Sequence, residues 1–186
     1  MKAIKFMSTL LVAAAMSLGV TACGDEDLKD LIDDALDKID FGKAKVTLTE
    51  STTTNGAKIT LDVDYIVYTM NEVGEFVKEG ENLVCTKLEA KYKLPSEKMA
   101  KELYEELKEE ATQEWINQKG EEHGITLDDK LDKIVVNGKN ISVDLLDAGE
   151  EYKDNFTYEA VLGAMTVQAQ ALKKSGATVT INGKKQ

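Results

Sequence analysis

Ala44, Val46 and Leu48 alternate with Lys45, Thr47 and Thr49, and the alternation resumes after Asn55-Gly56 with Ile59, Leu61, Val63, Tyr65 and Val67. A period of two sends successive side chains to opposite faces of a strand, so these segments predict a hairpin with one buried face. Asn55-Gly56 carries the turn chemistry, and Ser51 to Thr54 forms either a widened loop or frayed strand ends. A third strand is predicted over Val84 to Leu94, with Val84, Thr86, Leu88, Ala90, Tyr92 and Leu94 on one face and Lys87, Glu89, Lys91 and Lys93 on the other. Pro95 ends that strand and Ser96 is placed to cap a helix. Met99, Leu103, Leu107, Ala111 and Trp115 then recur every four residues as a core stripe, flanked by Ala100 and Tyr104 and stopped by Gly120. Glu105, Glu106, Glu109 and Glu110 make the solvated side.

Lys133 to Val143 predicts a second hairpin about Asn137-Gly138, with Ile134 facing Ile141. Phe156 and Val161 have the spacing of a hydrophobic staple around an N-cap at Thr157. The following helix, Tyr158 to Lys174, is nearly uncharged until Lys173 and Lys174, so most of its circumference is expected to be buried. Gly176 ends it, and Ala177, Val179 and Ile181 give a last strand. The order β-β-β-α-β-β-α-β predicts an α+β fold, an antiparallel sheet with two helices packed on one face.

The first forty residues follow another logic. Lys2 and Lys5 precede an apolar or small run from Phe6 to Ala22, the pattern of a secretory signal. Ser8, Thr9, Ser17 and Gly19 interrupt that run, which makes it a poor membrane span. Val20-Thr21-Ala22-Cys23 resembles the lipobox of bacterial lipoproteins, and the resemblance implies cleavage before Cys23 and acylation of its thiol and new amine. Two or three acyl chains hold at a membrane where one binds reversibly. Gly24-Asp25-Glu26-Asp27 is similar to the acidic segment that directs lipoproteins of the Bacteroidota to the outer face of the outer membrane, although small Gram-positive lipoproteins also carry charges there. Leu28, Leu31, Ile32, Ala35, Leu36 and Ile39 then predict a one-sided helix closed by Phe41-Gly42. Its polar face holds Asp30, Asp33, Asp34 and Asp37, which an anionic leaflet repels, so the apolar stripe is expected to dock on the domain. The organisation read from these signals is a signal peptide over 1–22, a lipidated cysteine and acidic tether over 23–42, and one domain over 43–186.

Without residues 1–22 the chain keeps 164 of its 186 residues, enough for one core, and the net charge moves from −11 to −13. All 23 basic residues are lysine. With no guanidinium forks and an acidic surface, a nucleic-acid role is excluded. Cys85 is the only cysteine besides Cys23, so no intramolecular disulfide framework is expected. In element order, and in Pro95-Ser96 opening the middle helix and Leu172-Lys173-Lys174-Ser175-Gly176 closing the last, the chain resembles the YehR-like small lipoproteins. The resemblance implies a lipid-anchored envelope domain and supplies no activity.

Candidate chemistry is sparse. His123 is the single histidine, between Glu122 and Gly124, and no G-x-S-x-G or S-x-x-K occurs. HExxH, CxxC and the calcium-loop pattern are missing too, so neither a metal nor another cofactor is expected. Asp62 with Asp64, and Asp147 with Glu150 and Glu151, are weak cation candidates in a chain with 34 acids. Cys85 is expected on the less buried face of its strand. The face that begins Thr60, Asp62, Asp64 turns apolar at Ile66, Tyr68 and Met70. Either Val73, Phe76 and Val77 cover that end, or it is an exposed patch that receives a partner. Two functions remain open: a lipid-anchored binding or accessory module of the envelope, with an envelope protein or extracellular ligand as partner, and a small tethered hydrolase using carboxylates.

Overall fold

The computed structural model describes residues 42–117, 126–148 and 156–186, and over these the chain is α+β. Eight strands form one mixed sheet: β1 (Lys45–Thr53), β2 (Gly56–Tyr65), β3 (Tyr68–Glu79), β4 (Asn82–Lys93), β5 (Ile134–Asn137), β6 (Asn140–Asp144), β7 (Thr178–Ile181) and β8 (Lys184–Lys185). Their order across the sheet is β5-β6-β4-β3-β2-β1-β7-β8. All neighbours are antiparallel except β1 and β7, which run parallel. The helices are α1 (Glu97–Asn117), α2 (Leu127–Leu131), α3 (Leu145–Ala148) and α4 (Tyr158–Lys174). The proposed signal, Cys23 and the tether helix lie outside the described residues, as do His123, Glu150 and Glu151.

The sheet has a strand that the periodicity concealed. Tyr65 pairs with Tyr68, so Ile66-Val67 is a two-residue turn and β3 begins where one continuous strand was expected. A two-residue hairpin reverses which parity faces inward: Ile59, Leu61 and Val63 are buried before the turn, and Tyr68, Met70 and Phe76 after it. The apparent change of face at Ile66, Tyr68 and Met70 is this reversal. Tyr68 and Met70 are 3% and 4% exposed in the core, and Ile66 at the turn is 68% exposed, so the three do not share a surface patch. Nor do Val73, Phe76 and Val77 cover them, since all five of these β3 residues lie along one strand.

Smaller departures have similarly local causes. β1 runs on to Thr53, and its turn is Thr54-Asn55, with Gly56 already paired to Thr53 and Val77. Glycine is required there because a Cβ would overlap the Phe76 carbonyl oxygen. In β4 an extra residue at Thr86 makes a bulge: Glu75 pairs with Lys87 but Phe76 pairs with Cys85. The bulge flips the strand's outer half, turning Val84 and Thr86 outward and packing Leu83 and Cys85 against the core. In the β5–β6 hairpin Ile134 pairs with Val143, and Ile141 with Val136.

Both long helices start where their caps say, and α4 stops at Gly176, while Gly120 lies outside the described residues. Ser96 Oγ accepts from Met99 N–H at 3.2 Å, and Thr157 caps α4 by accepting from Ala160 N–H at 3.2 Å. Ala177 N–H bonds to Leu172 C=O and Gly176 N–H to Lys173 C=O, a Schellman ending with Gly176 at φ 98°. Ala100, Leu103 and Leu107 of α1 and Val161, Met165, Ala169 and Leu172 of α4 join the buried strand residues in one core. Gly74 of β3 lets α4 approach closely, because a Cβ there would sit 3.1 Å from Val161 Cγ1. Glu50 of β1 clasps α4 and the β7–β8 turn, accepting from Tyr158 OH at 2.8 Å and from Asn182 Nδ2 at 2.7 Å. Both long helices contribute to the core on the same side of the sheet, so the described residues leave the other face open.

Candidate functional site

The open face is organised by register. One row of outward side chains crosses six strands as Lys45, Asp64, Thr69, Lys93, Asn140 and Asn137, and the next as Thr47, Asp62, Asn71, Lys91, Ser142 and Val135. These twelve residues line a trough of about 670 Å³. A twisted sheet is a saddle, so each face is concave along one diagonal, and a concavity of this size is within the range of ligand sites. Six strands at about 4.8 Å spacing give a trough roughly 24 Å long.

Its electrostatics are uneven. Asp62 and Asp64 form a column on β2, and Lys91 and Lys93 a column on β4, with Thr69 and Asn71 of β3 between. Asn71 Nδ2 donates to Asp62 Oδ1 at 2.7 Å, and Lys91 Nζ meets Glu89 at 2.9 Å. Lys45, Asp64 and Lys93 form no ion pair among the described residues. Asp62 and Asp64, read as a weak cation pair, thus belong to a larger mixed-charge surface. Among the described residues no group of three His, Cys, Asp or Glu side chains is placed to hold a metal ion.

A second carboxyl stands apart from this surface. Glu72 of β3 points to the core side, between Leu61 and Ala90 of the adjoining strands, and is 2% exposed. Burial lifts its carboxyl to about 7, and a hydrogen bond with Gln168 of α4 offsets part of that. Sequence reasoning missed Glu72 because its strand was unrecognised; in phase with Tyr68, Met70 and Phe76, a glutamate on an apolar face is conspicuous.

Cys85 is half-buried, its thiol is pushed up by burial, and its Sγ–H donates to Lys87 C=O at 3.5 Å. A thiol of that kind reacts slowly. Titration of the folded chain with a maleimide is expected to label Cys85 at least tenfold more slowly than in denaturant. Equal rates would show an accessible, activated thiol.

The trough was legible in the sequence only as polar strand faces. Aligning them across strands needs the register, and the register needed the Ile66-Val67 turn. No family model matches this chain, and no curated protein or solved structure matches it either. Among the described residues no helix is long and apolar enough to cross a membrane.

Proposed function

We propose that the chain is a lipid-anchored module of the bacterial cell envelope, held through Cys23 on the extracytoplasmic side of a membrane, that binds a ligand on the open face of its sheet. The observation that carries the binding role is the trough: a concave surface, left uncovered by the described residues, where two columns of opposite charge lie on the strands either side of β3. Supporting the anchor are the Lys2 and Lys5 n-region, the apolar run to Ala22 and the lipobox at Val20 to Cys23. In this reading residues 1–22 are removed, and the acidic tether over 23–42 joins the lipid to the domain, as the resemblance to the YehR-like small lipoproteins implies. The outer membrane, with surface exposure, is the destination in a Gram-negative host.

A carboxylate-dependent hydrolase is the weaker reading. Such an enzyme needs an acid kept protonated in its cleft beside an ionised one. The acid whose pKa is raised to about 7 is Glu72, which faces the opposite side of the sheet from the trough and is closed to solvent. Asp62 and Asp64 sit together without such a partner in the trough lining.

The anchor and the binding face are tested separately. Cys23→Ser is expected to abolish partition into detergent, leaving the protein either released or unprocessed; retention of the variant in the detergent phase refutes the lipobox. A photo-cross-linking residue at Thr69 is expected to capture a component of intact envelopes, while one at exposed Lys101 on α1 is not. Equal capture at both positions refutes a binding role for the trough.

A further inference from the structure

The arrangement of charge within the trough specifies more than a polar ligand. The acid column of Asp62 and Asp64 lies on β2 and the lysine column of Lys91 and Lys93 on β4, separated by β3. Two strand spacings put the columns about 10 Å apart. Around the lysines are donors and hydroxyls, Asn71, Ser142 and Asn140, suited to an anionic group. On the acid side Asp62 and the unpaired carboxylate of Asp64 suit a cation, with Thr47 and Lys45 of β1 flanking them at that end of the trough. Tyr92, the aromatic ring in the lining, is buried in the core, so no exposed ring is offered for stacking a sugar.

Resting on the proposal that the trough is the binding surface, we infer that it receives an extended peptide segment running across the strands, with a cationic side chain over Asp62 and Asp64 and an anionic one over Lys91 and Lys93. A chain in the extended polyproline II form has three residues per turn and advances about 3.1 Å per residue, so charges three residues apart share one face and span about 9 Å, close to the separation of the columns. Strands carry the charges at fixed positions, so spacing as well as sign is read. A purely anionic ligand is opposed by the acid column, and a purely cationic one by the lysines.

The test is a nuclear magnetic resonance titration of the full chain with acetylated, amidated peptides Lys-(Gly)n-Glu. Shifts of trough amides are expected, with tightest binding at two glycines and roughly tenfold weaker binding for peptides lacking either charge. Asp62→Asn with Asp64→Asn, and Lys91→Gln with Lys93→Gln, are each expected to weaken the two-glycine peptide by a similar factor without changing the thermal midpoint, since all four side chains point to solvent. If removing the acids instead tightens a glutamate-only peptide beyond the mixed-charge one, the ligand is an anion and the peptide assignment is wrong while the site stands. Tighter binding of a neutral linear glycan at the same amides overturns it likewise. If no probe shifts the trough amides, the trough is not a binding surface and both proposals fall.

Discussion

Replacing Tyr68 by alanine is expected to cost about 3–5 kcal/mol of folding free energy, the range for truncating a large buried aromatic ring. Its ring is 3% exposed and meets Tyr65 edge-to-face, with centroids 5.9 Å apart, across the turn that starts β3. The hydroxyl is a separate matter. Tyr68 OH is buried with no hydrogen-bond partner among the described residues, and burial holds its ionisation well above the usual phenol range. A buried hydroxyl that gains no bond on folding costs its desolvation, so Tyr68→Phe is expected to equal the parent or exceed it by about 1 kcal/mol. Guanidinium unfolding of the two variants decides both points. A loss below about 1 kcal/mol for the alanine variant would place the ring at the surface, and a marked loss for the phenylalanine variant would reveal a partner for the hydroxyl.

The second large effect is a pH dependence centred on Glu72. Its carboxyl titrates at about 7 in the folded chain against an ordinary value of 4.5. The folded state therefore holds a proton that the unfolded chain has released between those two values. The contribution of Glu72 is most favourable below about pH 4.5, is lost progressively as pH rises through 7, and is flat beyond. The difference corresponds to about 3 kcal/mol. Glu72→Gln keeps the shape and removes the titration, so parent and variant are expected to converge at low pH, with the variant more stable at pH 8. The rest of a chain carrying 34 acids titrates in both proteins, so the difference between the two stability curves isolates one residue. Parallel curves from pH 4 to 8 would mean that Glu72 is solvated in the folded state.

These residues also mark where local patterning stops being informative. The α+β class, the two long helices, the Ser96 and Thr157 caps, the Gly176 stop and the closing strand at Thr178 follow from short-range chemistry that needs no tertiary information. The hairpin between Tyr65 and Tyr68 does not. The favoured two-residue hairpin turns require a positive φ, and glycine or asparagine announces them. Among the described residues Asn182 is the only non-glycine with positive φ, so Ile66-Val67 turns without one, and two β-branched residues read as more strand. That turn shifted the assignment of everything from Tyr68 to Glu79 and so concealed Glu72. The bulge at Thr86 is equally silent, because its cause is the pairing of two strands and neither strand alone encodes it. For the trough, the twelve side chains come from six strands, and their juxtaposition exists only once every register is set.

The position of β1 has a mechanical consequence. The chain enters the described fold through this strand, which is an interior one, bonded to β2 from Lys45 to Thr53 and to β7 from Lys45 to Leu48. Ladder hydrogen bonds run across the strands, so tension applied along β1 loads both ladders in shear and many bonds must yield together. An edge strand such as β8, with partners on one side only, would be peeled open a bond at a time. A pull on the chain ahead of Lys45 is thus shared between two ladders loaded in shear, so that the trough built on β1 to β6 resists deformation under that load.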